Sequence, residues 1–325
     1  MYKLFIRFIF LVYFIFFQTH AFAAESKKEI VVVYGIGGKG DKSFNDAMFV
    51  GVQKVRKYLK VNVIEVEPLN QFDALNQYEK YAQLNNSLIV SLGFENIDSF
   101  QKIAKKYPNS KFAYMDELLN GSNIANFVFR EQEGSYLVGY LAAKFSKTKK
   151  IGFVGGMDIP PIKRFFKGFD QGAKAALPSI EVVQNFIGTN SNAWLNPSAA
   201  KFLSRKQYAK GVDIIYAVSG GSNLGVFEAA KEAKMYAIGV DVNQNGFAPG
   251  FIITSMEKRI DNVLYNLAKS YLEDKFKPGT YSNGLNEEGV DIAIDENSNK
   301  ILPVELIQEM QKLKMKIISG EVIIK

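Results

Sequence analysis

The sequence predicts an α/β protein of two similar halves, each a parallel sheet wrapped by helices. Strand-like apolar runs alternate with helix-period segments along most of the chain, which is the pattern of βαβ units. The alternation restarts at Ile151-Gly152-Phe153-Val154-Gly155-Gly156, where a second unit begins. A length of 325 residues, less an N-terminal leader, suits two domains of about 100–200 residues each.

The leader comes first. Lys3 and Arg7 precede an apolar core, Phe8 to Phe17, and Ala21-Phe22-Ala23 supplies the small residues of a signal-peptidase site. Residues 1–23 therefore read as a signal peptide cleaved near Ala23, and the core is shorter than the roughly 20 residues a spanning helix needs. The chain has no cysteine, which excludes disulfides, thiolate chemistry and a lipid-bearing cysteine behind the leader. Its one histidine, His20, lies within the leader. The expected mature chain thus lacks both imidazole and thiol, which removes imidazole-activated nucleophiles and nearly all zinc sites. No acidic pair stands out for glycoside hydrolysis. The expectation is a binding protein, not an enzyme, with no cofactor and no metal. Removing Lys3 and Arg7 leaves 38 basic residues against 33 acidic, too mild and too mixed a balance for nucleic acid.

The mature chain opens on Val31 to Asn45, VVVYGIGGKGDKSFN. A β-branched run leads into a glycine-rich turn, and Asp41 and Ser43 supply helix-start chemistry for a helix over 44–59. In open parallel sheets ligands sit outside the carboxyl ends of the strands, so this loop is the first candidate site. Gly35, Gly37 and Gly40 also spell G-x-G-x-x-G, with Glu65 near the end of the next strand. An NAD-dependent oxidoreductase using the Gly35–Gly40 loop is therefore one alternative. Against it, the third glycine of that fingerprint belongs inside a helix, whereas Lys39, Gly40, Asp41 and Lys42 prolong a polar loop. Asp41, where a phosphate loop needs Lys, disfavours that motif too.

Further strands are expected at 61–66, 87–92, 112–115 and 126–129, with a helix at 97–106. A helix over 131–144 follows, ending in the solvated run KFSKTKK (Lys144 to Lys150). The second half gives helices at 162–176, 198–209 and 223–234 between strands at 182–186, 213–218 and 236–240. A strand at 252–255 and a helix at 258–272 come next. Leu306, Ile307, Met310, Leu313 and Ile317 then form the stripe of a terminal helix closed by Gly320.

Seven blocks together resemble the basic membrane protein family, the nucleoside-binding components of ABC importers. They are GGKGDKSFN (Gly37 to Asn45), FREQEGSYLVGYLAA (Phe129 to Ala143), IGFVGGMDIP (Ile151 to Pro160), KGFDQGAKA (Lys167 to Ala175), WLNPSAAK (Trp194 to Lys201), IGVDVNQ (Ile238 to Gln244) and IISGEV (Ile317 to Val322). The resemblance spans the mature chain and implies two doubly wound lobes of the periplasmic-binding-protein class I, sugar-binding-like fold, with ligand in the cleft. Late crossings of such folds imply a first lobe of residues 24–128 plus 255–282 and a second of 129–254 plus 283–325.

The resemblance also implies a purine nucleoside held between aromatic rings, with its ribose gripped by acids and a lysine. Carried over, Phe44 is the first stacking ring and Asn45 its polar neighbour; Trp194 is the opposing ring. Asp116 is the acid after the fourth strand, Gly221 a strand-end glycine, Asp241 the ribose-binding acid and Lys258 its lysine. Read without the resemblance, Phe44 is one of 26 phenylalanines and Lys258 a solvated lysine, while Asp41 and Ser43 are helix caps. The chain departs from the family pattern at Gly35, where many relatives carry aspartate, which opens the choice of base. It also lacks the lipoprotein cysteine common in the family. The implied protein is a free periplasmic receptor that meets the membrane only through an ABC permease and ATPase; a sugar receptor of the same fold is a second alternative.

Overall fold

Two six-stranded sheets organise the described residues, which are 28–84 and 87–324 of a computed structural model. The expected signal peptide, with His20 and the cleavage point, lies outside them. In chain order the elements are β1 (Glu29–Val33), α1 (Phe44–Leu59), β2 (Val63–Val66), α2 (Gln71–Ala82), β3 (Ser87–Leu92), α3 (Ile97–Lys106), β4 (Lys111–Met115), β5 (Ile124–Phe129), α4 (Glu131–Phe145), β6 (Lys150–Gly155) and α5 (Pro160–Ala176). They continue with β7 (Glu181–Phe186), α6 (Pro197–Ala209), β8 (Ile214–Val218), α7 (Asn223–Ala233), β9 (Tyr236–Asp241), β10 (Ile252–Lys258), α8 (Ile260–Leu272), β11 (Gly279–Asn283), β12 (Val290–Ile292), α9 (Glu296–Asn299) and α10 (Val304–Ile318).

The first sheet runs β11-β5-β4-β3-β1-β2 and the second β12-β10-β9-β8-β6-β7. Every pairing is parallel except that of β10 with β12. With β6 standing for β1, each lobe follows the doubly wound order 2-1-3-4-5, whose chain reversal beside the first strand is a preferred ligand position. Helices on both faces bury the central strands, such as β1 and β3, so these read as apolar runs, while the edge strands β2, β7 and β11 are only partly buried. Ile30, Val31, Val32 and Val33 are at most 1% exposed, and all of β3 is buried.

Three segments pass between the lobes. The chain leaves the first sheet after β5 and enters α4, which packs on α5 of the second lobe. Glycines bring these two helices into backbone contact: a Cβ on Gly168 would strike the Gln132 carbonyl, one on Gly139 the Phe169 carbonyl and one on Gly172 that of Tyr136. The second crossing follows β10. This strand stays in the second sheet through Lys258, which pairs with Val290. The return to the first lobe therefore falls at Arg259, later than the expected 255, and α8 begins at Ile260 instead of Lys258. There α8 packs on α1. The third crossing joins β11, parallel to β5, to β12. The Arg130 N–H donates to the Asn283 carbonyl (2.9 Å) and that of Arg259 to Gly289 (2.8 Å), so the three connections lie side by side. The Arg130 guanidinium adds bonds to Glu133 and Glu287. In α10 the apolar stripe is buried as its spacing predicts, and Gly320 follows at φ +78°.

Candidate functional site

A cavity of about 970 Å³, its open mouth included, separates the carboxyl ends of the two sheets. All seven residues singled out in the sequence line it: Phe44, Asn45 and Asp116 from the first lobe, Trp194, Gly221, Asp241 and Lys258 from the second. The loops after β1 and β3 face those after β6 and β8, so both chain reversals open onto one space.

The β1–α1 loop is built around Asp41. Its carboxylate accepts the backbone N–H groups of Ser43 (2.8 Å), Asn45 (2.8 Å) and Asp46 (3.1 Å), satisfying donors that the start of α1 leaves unpaired. Burial, opposed by these bonds and helped by the Asp241 charge, pushes the Asp41 carboxyl up to about 6. Asp41 therefore takes the capping role expected of both residues. Ser43 sits at the cap position without using its side chain there. Its hydroxyl instead donates across the cleft to Asp241 Oδ2. Beside it, Asn45 Oδ1 accepts the Gly35 N–H (2.9 Å), and the Gln244 amide of the second lobe donates to the Lys42 carbonyl (2.7 Å).

At the hinge side lies a buried ionic cluster. Lys258 is 2% exposed and Glu131 fully buried. The Lys258 Nζ is 2.7 Å from Asp116 Oδ2 and 3.0 Å from Glu131 Oε1, and Arg164 holds Glu131 from its other oxygen at 2.6 Å. The ammonium also lies 5.2, 5.2 and 5.1 Å from the ring centres of Phe44, Phe129 and Phe165, within cation–π range. Burial pushes Asp116 up to about 7, with Lys258 pulling it down and Glu131 pushing it up. Burial also works against the Glu131 charge, but Lys258 and Arg164 outweigh it and hold that carboxyl down to about 2. Lys258 itself rises, because Asp116, Glu131 and Asp241 outweigh its own burial. Far from a solvated lysine, it is a permanent cation inside the protein.

Asp116 and Asp241 follow equivalent strands, the fourth of each lobe, and both sit at positive φ, +80° and +67°. Left-handed backbone costs a non-glycine residue roughly 1–2 kcal/mol, and here it turns both carboxylates into the cleft. Trp194 lies in a short 3₁₀ turn, Ser191–Leu195, with its ring packed against Gly156. A Cβ on Gly221 would approach the Trp194 carbonyl to 3.3 Å and that of Asp41 to 3.5 Å, so this glycine keeps the lobes close.

Sequence reasoning missed Ser43 as a cross-cleft donor, Glu131 as a partner of Lys258, Arg164 as the second cation on Glu131, and Phe165 and Glu95 in the wall. Ser43 and Glu131 stand within the quoted blocks, but their partners come from distant segments. Glu65, the acid of the dinucleotide alternative, faces elsewhere: it accepts from the Tyr34 hydroxyl (2.6 Å) and from Arg56 (2.6 Å) and pairs with Lys39 (3.2 Å).

Fold and cleft together define a bilobal solute-binding protein. More narrowly, the chain belongs to the Bmp family, the PnrA-like substrate-binding proteins of ABC transporters, whose family model matches residues 27–325. It is 35% identical over 281 residues to basic membrane protein D of Borreliella burgdorferi strain JD1, covering 84% of this chain and 81% of that one. A solved ABC-transporter solute-binding protein from Aeropyrum pernix K1 superposes with a TM-score of 0.80 at 28% identity, over 91% of this chain and 92% of that one. A Bacillus halodurans protein described as a transcriptional activator of the comK gene has the same fold, with a TM-score of 0.78 at 22% identity over 90% and 99% of the two chains. Membership makes the chain the substrate-binding part of a transporter, whose permease and ATPase are its partners and whose cargo is a small molecule.

Proposed function

We propose that the chain is an exported receptor that binds a purine nucleoside between its lobes and presents it to the permease and ATPase of an ABC importer. One observation carries this most directly. Asp116 Oδ1 is buried at the cavity and accepts no hydrogen bond from the described residues, with the Arg164 guanidinium 3.9 Å away, and leaving it so costs about 1–3 kcal/mol until a donor arrives. A ribose hydroxyl is such a donor. Asp241 and Lys258 stand with Asp116 to hold the sugar, while Phe44 and Trp194 flank the base and each stack contributes about 1–3 kcal/mol. Asn45, its oxygen engaged by Gly35, offers its amide N–H groups to the base. Gly221 leaves room for the ring at the second-lobe wall.

Charge favours an unphosphorylated ligand. Five carboxylates line the cavity, Asp41, Glu95, Asp116, Glu117 and Asp241, against the single cation Lys258. A phosphate would meet net repulsion. In this proposal residues 1–23 are removed near Ala23, the receptor works in the periplasm, and it touches the membrane only through its permease. No cofactor and no nucleic acid enter.

The test is titration of ligand-stripped protein with inosine, adenosine and guanosine, following the fluorescence of Trp194, the one tryptophan of the chain. The expected result is a saturable change and a raised melting midpoint, since ligand stabilises the folded state by mass action. Silence toward nucleosides with a response to sugars replaces this proposal by a sugar receptor. A response to NAD alone restores the dinucleotide alternative.

A further inference from the structure

Of the five cavity carboxylates, four are held. Asp41 accepts three backbone N–H groups, Asp116 pairs with Lys258, Asp241 accepts from Ser43, and Glu117 lies in the field of Arg164. Glu95 differs. Among the described residues, the groups that favour its charge are its own backbone N–H and the hydroxyl of Ser191 on the opposite lobe. No cation balances it. Burial accordingly lifts its carboxyl above the ordinary value.

Its position is specific. Glu95 follows β3 at the chain reversal of the first sheet, in a corner where two glycine backbones meet. A Cβ built on Gly93 would lie 2.9 Å from the Gly35 Cα and 3.2 Å from Glu95 Oε2. With neither glycine carrying a side chain, the corner stays open beside the carboxylate. The ionic cluster around Lys258 belongs to the fourth- and fifth-strand ends of the lobes, so a ligand whose sugar rests there directs its other end elsewhere along the cleft.

We propose that Glu95 selects the base by accepting two adjacent N–H groups, so that guanine-type nucleosides bind in preference to adenine-type ones. The inference rests on the nucleoside assignment of the cavity. An ionised carboxylate offers about four acceptor positions and no donor. Even with its own backbone N–H and the Ser191 hydroxyl as neighbours, two positions are left for a ligand. Guanine presents its ring N1–H and 2-amino group side by side and fills both. Hypoxanthine presents only the N1–H. Adenine places a ring-nitrogen lone pair beside its amino group, so one carboxylate oxygen would face another acceptor. A site built to accept N–H groups rejects a ligand lacking them, because its buried acceptors are left unpaired.

The experiment compares the Kd values of guanosine, inosine and adenosine for the full mature chain, Glu95→Gln and Ser191→Ala. Guanosine is expected to bind the parent at least about tenfold more tightly than adenosine, with inosine between them. In Glu95→Gln the guanosine and adenosine values should converge to within about threefold, guanosine weakening while adenosine, whose ring nitrogen can accept from the amide, tightens, with the unliganded melting midpoint preserved. Ser191→Ala, which removes the bond across the cleft but not the acceptor, should weaken all three alike and keep their ratio. A parent without guanosine preference, or a Glu95→Gln chain that loses all three equally, overturns the role of Glu95 while leaving the nucleoside receptor standing. Silence of the parent toward every nucleoside overturns both.

Discussion

Asp116 after β4 and Asp241 after β9 occupy the same place in the two lobes, down to their left-handed backbone, yet the walls around them differ. The first lobe surrounds its acid with further polar groups: Asp41, Asn45, Glu95 and Glu117. The second surrounds its acid with Ile159, Pro161, Ile162, Phe165, Trp194, Leu195, Val218 and Val240, and adds Lys258 from its last long strand. One topology thus yields a mixed face opposite a mostly apolar one, the first lobe adding Ile36, Phe44, Phe94 and Met115 to its polar groups. Discrimination should concentrate in the first lobe and base-independent affinity in the second.

The largest expected effect breaks the joint between the faces. Lys258→Met leaves Asp116 and Glu131 buried without their shared cation and should cost about 3–5 kcal/mol of stability in denaturant titration. Asp116→Asn in the same chain should recover part of that loss. Next comes the difference in helix packing. In the second lobe a Cβ on Gly172 meets backbone, whereas in the first lobe one on Gly51 stays 3.1 Å from the Asp261 Cα. Gly172→Ala should therefore cost about 1–3 kcal/mol and Gly51→Ala visibly less, read as the shift in melting midpoint.

Phe44→Ala and Trp194→Ala should each weaken every nucleoside by about 1–3 kcal/mol without changing their order. Asn45 substitutions should change the order, whereas Asp116→Asn, at the shared ribose, should weaken all three alike. A pH series sharpens the same contrast. Asp116 holds its proton below about 7 in the free protein, and Oδ1 accepts a ribose hydroxyl more strongly from the carboxylate than from the neutral acid. Binding should thus strengthen as pH rises toward 7 and weaken by up to about tenfold per unit below it, and Asp116→Asn should flatten that slope. The smallest effect is expected at Glu65→Gln, which lies off the cavity and should leave nucleoside affinity unchanged within error of calorimetry.

Much of this architecture was legible because parallel strands covered on both faces are largely apolar, as Val31 to Val33 and Leu88 to Val90 are. The edge strand β11, Gly279–Asn283, was not: its sequence, GTYSN, is largely exposed and carries no burial pattern. The late crossing was misplaced because Glu257-Lys258-Arg259-Ile260 reads as a charged helix start. Only pairing with β12 keeps Lys258 in a strand. The seven cavity residues were found through motif resemblance, since nothing local marks Gly221 or Lys258. Ser43, Glu95, Glu131 and Phe165 escaped because each acquires its role from a partner tens to hundreds of residues away. Ser43 shows the limit most plainly, as its cap position is real while its side chain serves the other lobe.

The three side-by-side crossings bear on biogenesis. The first sheet lacks its outer strand β11, and α1 lacks its cover α8, until residues 260–283 have emerged, after the second sheet has all its long strands. During synthesis the amino-terminal half therefore waits, partly clothed, with the flank of α1 around Gly51 and Val52 open to chaperones, while the carboxyl-terminal half in turn awaits β12 and α10.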